Sequence, residues 1–204
     1  MKIDRQRIVD EALLLLNEAG LDALSTRALA ERLGIRQPAL YWHFKGKRAL
    51  IDAMNAEILR RGHTHAAPKH GDVWSAYLLA NCRSFRNALL AYRDGGRVHA
   101  GTEADPQDLA KVETQIGLLV DAGMTPETAM ELLVALGRYT LGCVIEEQAE
   151  PQPNTKQLDE AAADYPLTSR AVLHYRDSGP EIFFEAGVTL MIEAAAMRLA
   201  KRQA

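Results

Sequence analysis

The chain has 204 residues, 48% of them hydrophobic, so it is long enough to bury a core as one large domain or two small ones. It lacks an unbroken apolar run of about 18 residues, and charges run through what would be the apolar region of a signal peptide in MKIDRQRIVDEALLLLNEAG; both argue for a cytoplasmic protein. Cys82 and Cys143 have no partner at metal-site spacing, and the net charge of −3 is uneven: residues 1 to 48 hold nine Lys/Arg against six Asp/Glu, the remainder fifteen against twenty-one. A basic head on an acidic body confines phosphate attraction to one end.

The pattern predicts a first helix over residues 4 to 19, with Ile8, Ala12, Leu15, Leu16 and Ala19 as its stripe and Gly20 as its stop. Arg5 and Arg7 near its start are candidates for phosphate contacts. Two short helices joined by a tight turn follow between Leu24 and Leu50. Ser25 is placed to cap the first, Leu24 and Leu29 to staple it, and Ala28, Leu29, Ala30 and Leu33 to form its apolar face. Gly34 stops that helix and Ile35 plugs the corner. Pro38 suits the first turn of the next, where its missing N–H has no intrahelical partner. Leu40 and Phe44 turn inward, and Gly46 ends the helix after about two turns. Gln37, Ala39, Tyr41, Trp42 and His43 are left facing outward, flanked by Arg27, Arg36, Lys45 and Lys47. That surface is suited to a major groove.

A longer helix is predicted from Lys47 to Arg61, with Leu50, Met54, Ile58 and Leu59 inward and Gly62 as its break. It joins head to body and is expected to carry every signal between them. After the turn-rich 63–71 stretch, residues 73 to 92 place Trp74, Tyr77, Leu78, Cys82, Phe85, Leu89 and Leu90 on one face. Asn81 lies among them. Burying its amide unpaired costs about 1–3 kcal/mol, so it needs an internal partner or a ligand.

Residues 93 to 106, RDGGRVHAGTEADP, are too poor in apolar groups for the core, and their glycines suggest a segment that unwinds with little strain. A helix over 109–122 follows. Thr125 and Pro126 then start a helix reaching about Gln148, apolar over more than half its circumference. Glu146 and Glu147 close it, where negative charge is unfavourable and invites a cation. The proline-bearing acidic stretch after it reads as a mobile loop. Two further helices are predicted, Pro166 to Arg176 and Pro180 to about Lys201. The broad apolar faces of the 126–148 and 180–201 helices suit a four-helix contact between two copies of the chain. The expected class is all-α: a three-helix head, residues 1–48, joined by a linker helix to a helical ligand-binding and dimerisation body, residues 49–204.

The run T-R-x-L-A-x-x-L-G from Thr26, followed by P-x-L-Y-W-H-F-x-x-K-x-x-L from Pro38, is similar to the DNA-binding head of the TetR family of bacterial repressors. The resemblance continues into the body through NCRSF at 81–85, LLAYRDGGRVHAGT at 89–102, VETQ at 112–115 and YTLGCVIEEQ at 139–148, which look like the tetracycline-responsive members of that family. It implies a homodimer on a palindromic operator in double-stranded DNA. Thr26, Arg27, Gln37, Pro38, Ala39, Tyr41, Trp42, His43 and Lys47 are the implied DNA-contacting set, with Arg27 suited to guanine and Gln37 to adenine.

The implied inducer is a tetracycline chelated to Mg²⁺. His63, Asn81 and Gln115 match positions that hydrogen-bond the drug, and Phe85 one that packs beside it. Val112, Met130 and Leu133 match its apolar wall, completed across the dimer by the 167–175 helix. His99 matches the one direct protein ligand of the metal; Thr102 and Glu146, the latter from the other subunit, match groups holding its waters. The sequence departs from the family pattern at Glu103 and Ala104, where Arg-Pro is usual, at Ala39, where threonine is common, and at His174 and Tyr175. Two other readings stand beside this one. One is a regulator of the same family sensing another polyketide or planar drug. The other is a metal-dependent enzyme using His63, His99 and Glu146, against which the sequence offers no nucleophile–base pair.

Overall fold

The computed structural model describes residues 3–102, 105–149, 160 and 164–203, and among these every regular element is helical. The chain separates into two compact units, residues 1–148 and 149–204. In the first unit lie α1 (Arg5–Ala19), α2 (Thr26–Arg32), a 3-10 helix (Gln37–Trp42) and α3 (Lys47–Gly62). Then come α4 (Trp74–Leu90), α5 (Gly95–Ala100), α6 (Leu109–Asp121) and α7 (Pro126–Gln148). The second unit holds α8 (Pro166–Gln203).

The predicted starts are where their caps require. Asp4 accepts from the Arg7 N–H at 2.8 Å, Ser25 from Ala28 at 3.1 Å, and the Thr125 hydroxyl from Thr128 at 3.3 Å. Leu24 and Leu29 are both fully buried, as a staple should be. On α1 the buried face is Ile8, Val9, Ala12, Leu13 and Leu16, whereas Ala19 is exposed and Leu15 half-buried. One core then runs without interruption from these residues through Leu40, Phe44, Leu50, Met54 and Ile58 to Leu89, Val98 and Val144.

Four expectations change. The second helix of the head is a 3-10 helix rather than two turns of α-helix. Its turns close on three-residue bonds, from the Ala39 N–H to the Arg36 carbonyl at 2.9 Å and from the His43 N–H to the Leu40 carbonyl at 3.0 Å, the tighter form used in short pieces. Gly62 does not break α3 but completes it. A Cβ there would stand 2.7 Å from the Cα of Ala88, so its smallness lets α3 and α4 touch.

The 93–106 segment is not outside the core: it contains α5, with Gly95, Gly96 and Val98 buried. A Cβ on Gly95 would lie 2.1 Å from the Leu89 carbonyl oxygen, and one on Gly96 2.9 Å from Val144. Gly95 and Gly96 therefore serve close packing of α5 against the end of α4 and against α7.

Nor is α3 the sole connection to the head. Asp94 accepts from the Leu21 N–H at 2.8 Å, Asn17 accepts from the Arg93 N–H at 2.9 Å, and Arg97 pairs with Asp22 at 2.8 Å. The corner between α4 and α5 therefore holds the end of α1 directly.

Helix α7 is long and apolar enough to cross a membrane by length and composition, with a mean hydropathy of 1.4 over its best window; the lack of an unbroken apolar run had concealed this. Only Ala129, Leu136, Thr140 and Val144 of it are buried, and Met130 remains 42% exposed.

Helix α8 is bent at Gly179, whose φ of 76° breaks the helical path just before Pro180. The two predicted helices are its two arms. Phe183 from the second arm packs edge-on against Tyr175 from the first at 4.6 Å, with His174 at 5.7 Å. Phe184, Val188 and Ile192 are buried, while Leu167, Leu173, Tyr175, Ile182, Leu190 and Met197 are exposed. Glu103, Ala104 and most of the expected 149–166 loop lie outside the described residues.

Candidate functional site

The head presents the surface its sequence pattern requires. Trp42 is 89% exposed and Tyr41 51%, two adjacent aromatic rings left bare on one face. Arg27, Pro38 and Lys47 are also exposed, and Ala39 and His43 half-buried. Thr26 and Gln37 are brought together across the turn, the Gln37 amide donating to the Thr26 hydroxyl at 2.8 Å. That bond orients the one long amide on the face. Arg5 is stacked over Phe44 at 4.9 Å, which steadies the other side of the same core.

In the body, helices α3, α4, α5 and α6 and the residues that close them bring eight polar side chains into two adjoining clusters. The first surrounds His99. Asn55 of α3 meets its Nδ1 through Oδ1 at 3.0 Å and donates from Nδ2 to the Thr102 hydroxyl at 3.3 Å. Thr102 donates in turn to the His99 carbonyl at 2.8 Å. The remaining ring nitrogen, Nε2, forms no hydrogen bond among the described residues.

The second cluster surrounds His63. Its Nδ1 lies 2.8 Å from the Ser84 oxygen and its Nε2 3.4 Å from Asn81 Nδ2. Asn81 also donates to the His65 carbonyl at 2.8 Å, which provides the internal partner its burial demanded. Gln115 donates to the Ala66 carbonyl at 2.8 Å and to the Tyr77 hydroxyl at 3.0 Å. Phe85 stands between the clusters, its ring centre 5.6 Å from that of His63 and 4.9 Å from that of His99.

The fold favours the neutral form of both imidazoles. Burial is the main cause in each: it pushes His63 down to about 4, with help from nearby Lys111, and lowers His99. The Ser84–His63 contact supplies the nucleophile–base pair the sequence did not reveal, but its hydrogen bonds run the wrong way for catalysis. Ser84 donates its one proton to the Asn81 carbonyl at 3.1 Å, so His63 must donate to Ser84 rather than accept from it. A histidine held neutral down to about pH 4 is also a weak base.

A hard cation fits beside His99 only in a particular way. The Nε2 lone pair is available, but among the described residues no three His, Cys, Asp or Glu side chains gather to hold a metal. Most ligands would have to be oxygens of a bound molecule and water, which is how Mg²⁺ is commonly held.

Val112 and Leu133 are half-buried on α6 and α7, and both they and Met130 lie outside the hydrogen-bonded clusters. Glu146 is exposed on the last turn of α7. Its neighbour Glu147 has its cation within the chain: Arg86 grips it with two bonds of 3.0 and 2.5 Å. Asn55, Tyr77 and Ser84 were missed as site residues. Asn55 shares a helical stripe with Ile51, Ile58 and Gly62, the same signal that singled out Asn81.

Comparison with known proteins gives this geometry its context. Residues 8–54 match the profile of bacterial regulatory proteins of the tetR family, and residues 67–197 that of the tetracyclin repressor-like C-terminal domain. The chain is 42% identical to the tetracycline repressor protein class A from transposon 1721 of Escherichia coli, over 97% of this chain and 92% of that protein. A crystal structure of TetR from Acinetobacter baumannii AYE superposes with a TM-score of 0.79 at 39% identity, covering 97% of this chain and 98% of that one. A structure of class A TetR in complex with 5a,6-anhydrotetracycline and magnesium superposes with a TM-score of 0.74 at 39% identity, covering 94% and 96%.

Proposed function

The chain belongs to the TetR family of DNA-binding bacterial regulators, and from that premise we propose that it is a tetracycline-responsive repressor. Two copies bind a palindromic operator, one head per half-site, and leave when tetracycline with Mg²⁺ fills the body. The observation that carries this reading is the pair of clusters joined by Phe85: amide and imidazole groups for a polar ligand on one side, and an imidazole with an available Nε2 on the other.

In the head, Arg27 reads a guanine edge by its fork of donors, and Gln37, aimed by Thr26, reads an adenine. Tyr41, His43 and Lys47 bind phosphates, while Pro38, Ala39 and Trp42 complete the surface pressed to the groove. The functional boundary lies at residues 48/49, inside the continuous core. The exposed apolar positions of α7 and α8 meet a second copy.

In the body, His63, Asn81 and Gln115 exchange their present bonds for bonds to the drug. Phe85 packs beside it, with Val112, Met130 and Leu133 as apolar wall. His99 would hold the metal through Nε2, and Thr102 with Glu146 of the partner subunit would hold its waters. Magnesium, when bound, supplies the charge that fixes the drug's oxygens against His99. The displacement of His99 reaches the head by two routes, through α3 and through Asp94 and Arg97 on α5. The heads then no longer match grooves about 34–36 Å apart. The protein works by binding, without turnover.

Titration of the protein with tetracycline, followed by drug fluorescence with and without magnesium, tests this. Saturable binding that needs the metal is expected. Binding of similar strength after chelation of all divalent metal overturns the tetracycline reading in favour of a family member with a metal-independent ligand.

A further inference from the structure

We propose that Asn55, on the helix leading from the DNA-binding head, is the positioning residue that sets the tautomer of His99 and so presents a lone pair at Nε2. This deepens the reading of His99 as the metal-facing group and rests on it.

The hydrogen bonds fix the assignment in order. Thr102 gives its single hydroxyl proton to the His99 carbonyl at 2.8 Å, so toward Asn55 its oxygen can only accept. The Asn55 amide must therefore turn Nδ2 to Thr102, at 3.3 Å, and Oδ1 to the imidazole, at 3.0 Å. An amide oxygen only accepts, so Nδ1 of His99 carries the proton. In a neutral imidazole the other nitrogen is then the acceptor and potential ligand.

Asn55 is 9% exposed, so water competes poorly for either end of its amide. A ligating histidine is ordinarily steadied in this way, by an acceptor on its other nitrogen. Here the acceptor comes from α3 rather than from the segment that carries His99, 44 residues away in sequence. The residue that prepares the ligand thus belongs to the helix that any displacement of His99 must move.

The test begins on the protein without drug or metal. In a long-range ¹H–¹⁵N spectrum, with His99 assigned by its loss in His99→Asn, the unsubstituted protein should show a protonated Nδ1 and a pyridine-like Nε2. Asn55→Leu removes the acceptor while keeping similar bulk, and should shift His99 toward the Nε2-protonated form. Asn55→Asp keeps an oxygen at the same place and should restore the original tautomer.

Titration with tetracycline and magnesium should then show an affinity loss of about 10- to 100-fold for Asn55→Leu, the usual range for an outer-shell change, with most of it recovered in Asn55→Asp. An unchanged His99 tautomer in Asn55→Leu overturns the inference. If the tautomer shifts as expected but tetracycline binds neither protein, the role of Asn55 stands and the tetracycline reading fails.

Discussion

The recognition surface of the head and the clusters of the body are both polar, yet their bonds are arranged in opposite ways. On the head, Trp42 and Tyr41 stand in solvent, and Arg27 and Lys47 extend from the surface. In the body, Asn55, Asn81, Thr102 and Gln115 are each already bonded within the chain. The head therefore gains contacts on binding and gives up little beyond hydration. A ligand at the proposed body site would instead replace bonds that exist, and that exchange would couple its arrival to the positions of α3 and α5. An interface of the first kind gives affinity; one of the second kind gives a switch.

The largest expected effect lies on the body side of this contrast. Replacing His99 by Asn removes the imidazole proposed to hold the metal. It should lower magnesium-dependent tetracycline affinity by more than the roughly 10- to 100-fold of outer-shell changes, with operator binding preserved. Fluorescence titration and a gel shift on the same preparation check both halves. Equal loss on both would erase the distinction between the regions.

The next effect is on stability. His63 is neutral and its folded pKa of about 4 lies below the ordinary 6.5, so between those values the unfolded chain binds more protons than the folded one. Stability is fully present above pH 6.5 and falls as pH drops toward 4, by up to about 3 kcal/mol from this group. His63→Gln should flatten that part of the pH profile in denaturant melts. A profile of unchanged slope would place the acid sensitivity elsewhere.

On the head, Arg27→Ala should cost about 1–3 kcal/mol of operator affinity and relax base preference at one position of each half-site. Binding measured on a panel of single-base operator variants resolves it; a loss uniform across the panel would make Arg27 a phosphate contact. Smallest is Lys47→Ala. Its loss should leave base preference intact and lower the slope of log affinity against log salt by about one.

The same contrast separates what could be read from the sequence and what could not. The head is specified by near neighbours: Ser25 caps three residues on, and Leu24 staples five residues on. Its pattern was legible, except that local spacing did not distinguish a 3-10 helix from a short α-helix. The body depends on contacts between distant residues. Asn81 and Asn55 each place an amide on an apolar stripe, but the partner of Asn55 is Thr102, 47 residues away, and nothing nearby in the chain indicates that pairing.

Gly62 read as a helix break for the same reason: its role is visible only where Ala88 crosses it. Likewise the apparent excess charge of Glu147 is answered by Arg86, 61 residues earlier. The links of Arg93, Asp94 and Arg97 to the end of α1 follow no periodicity at all.

The most direct test of the switch is a gel shift of the protein on operator DNA from beside its gene, with tetracycline added in the presence of magnesium or of a chelator. The operator complex is predicted to form without drug, to dissociate with tetracycline and magnesium, and to persist when the metal is withheld. A complex that survives tetracycline with magnesium, or that dissociates equally well without metal, would contradict the account.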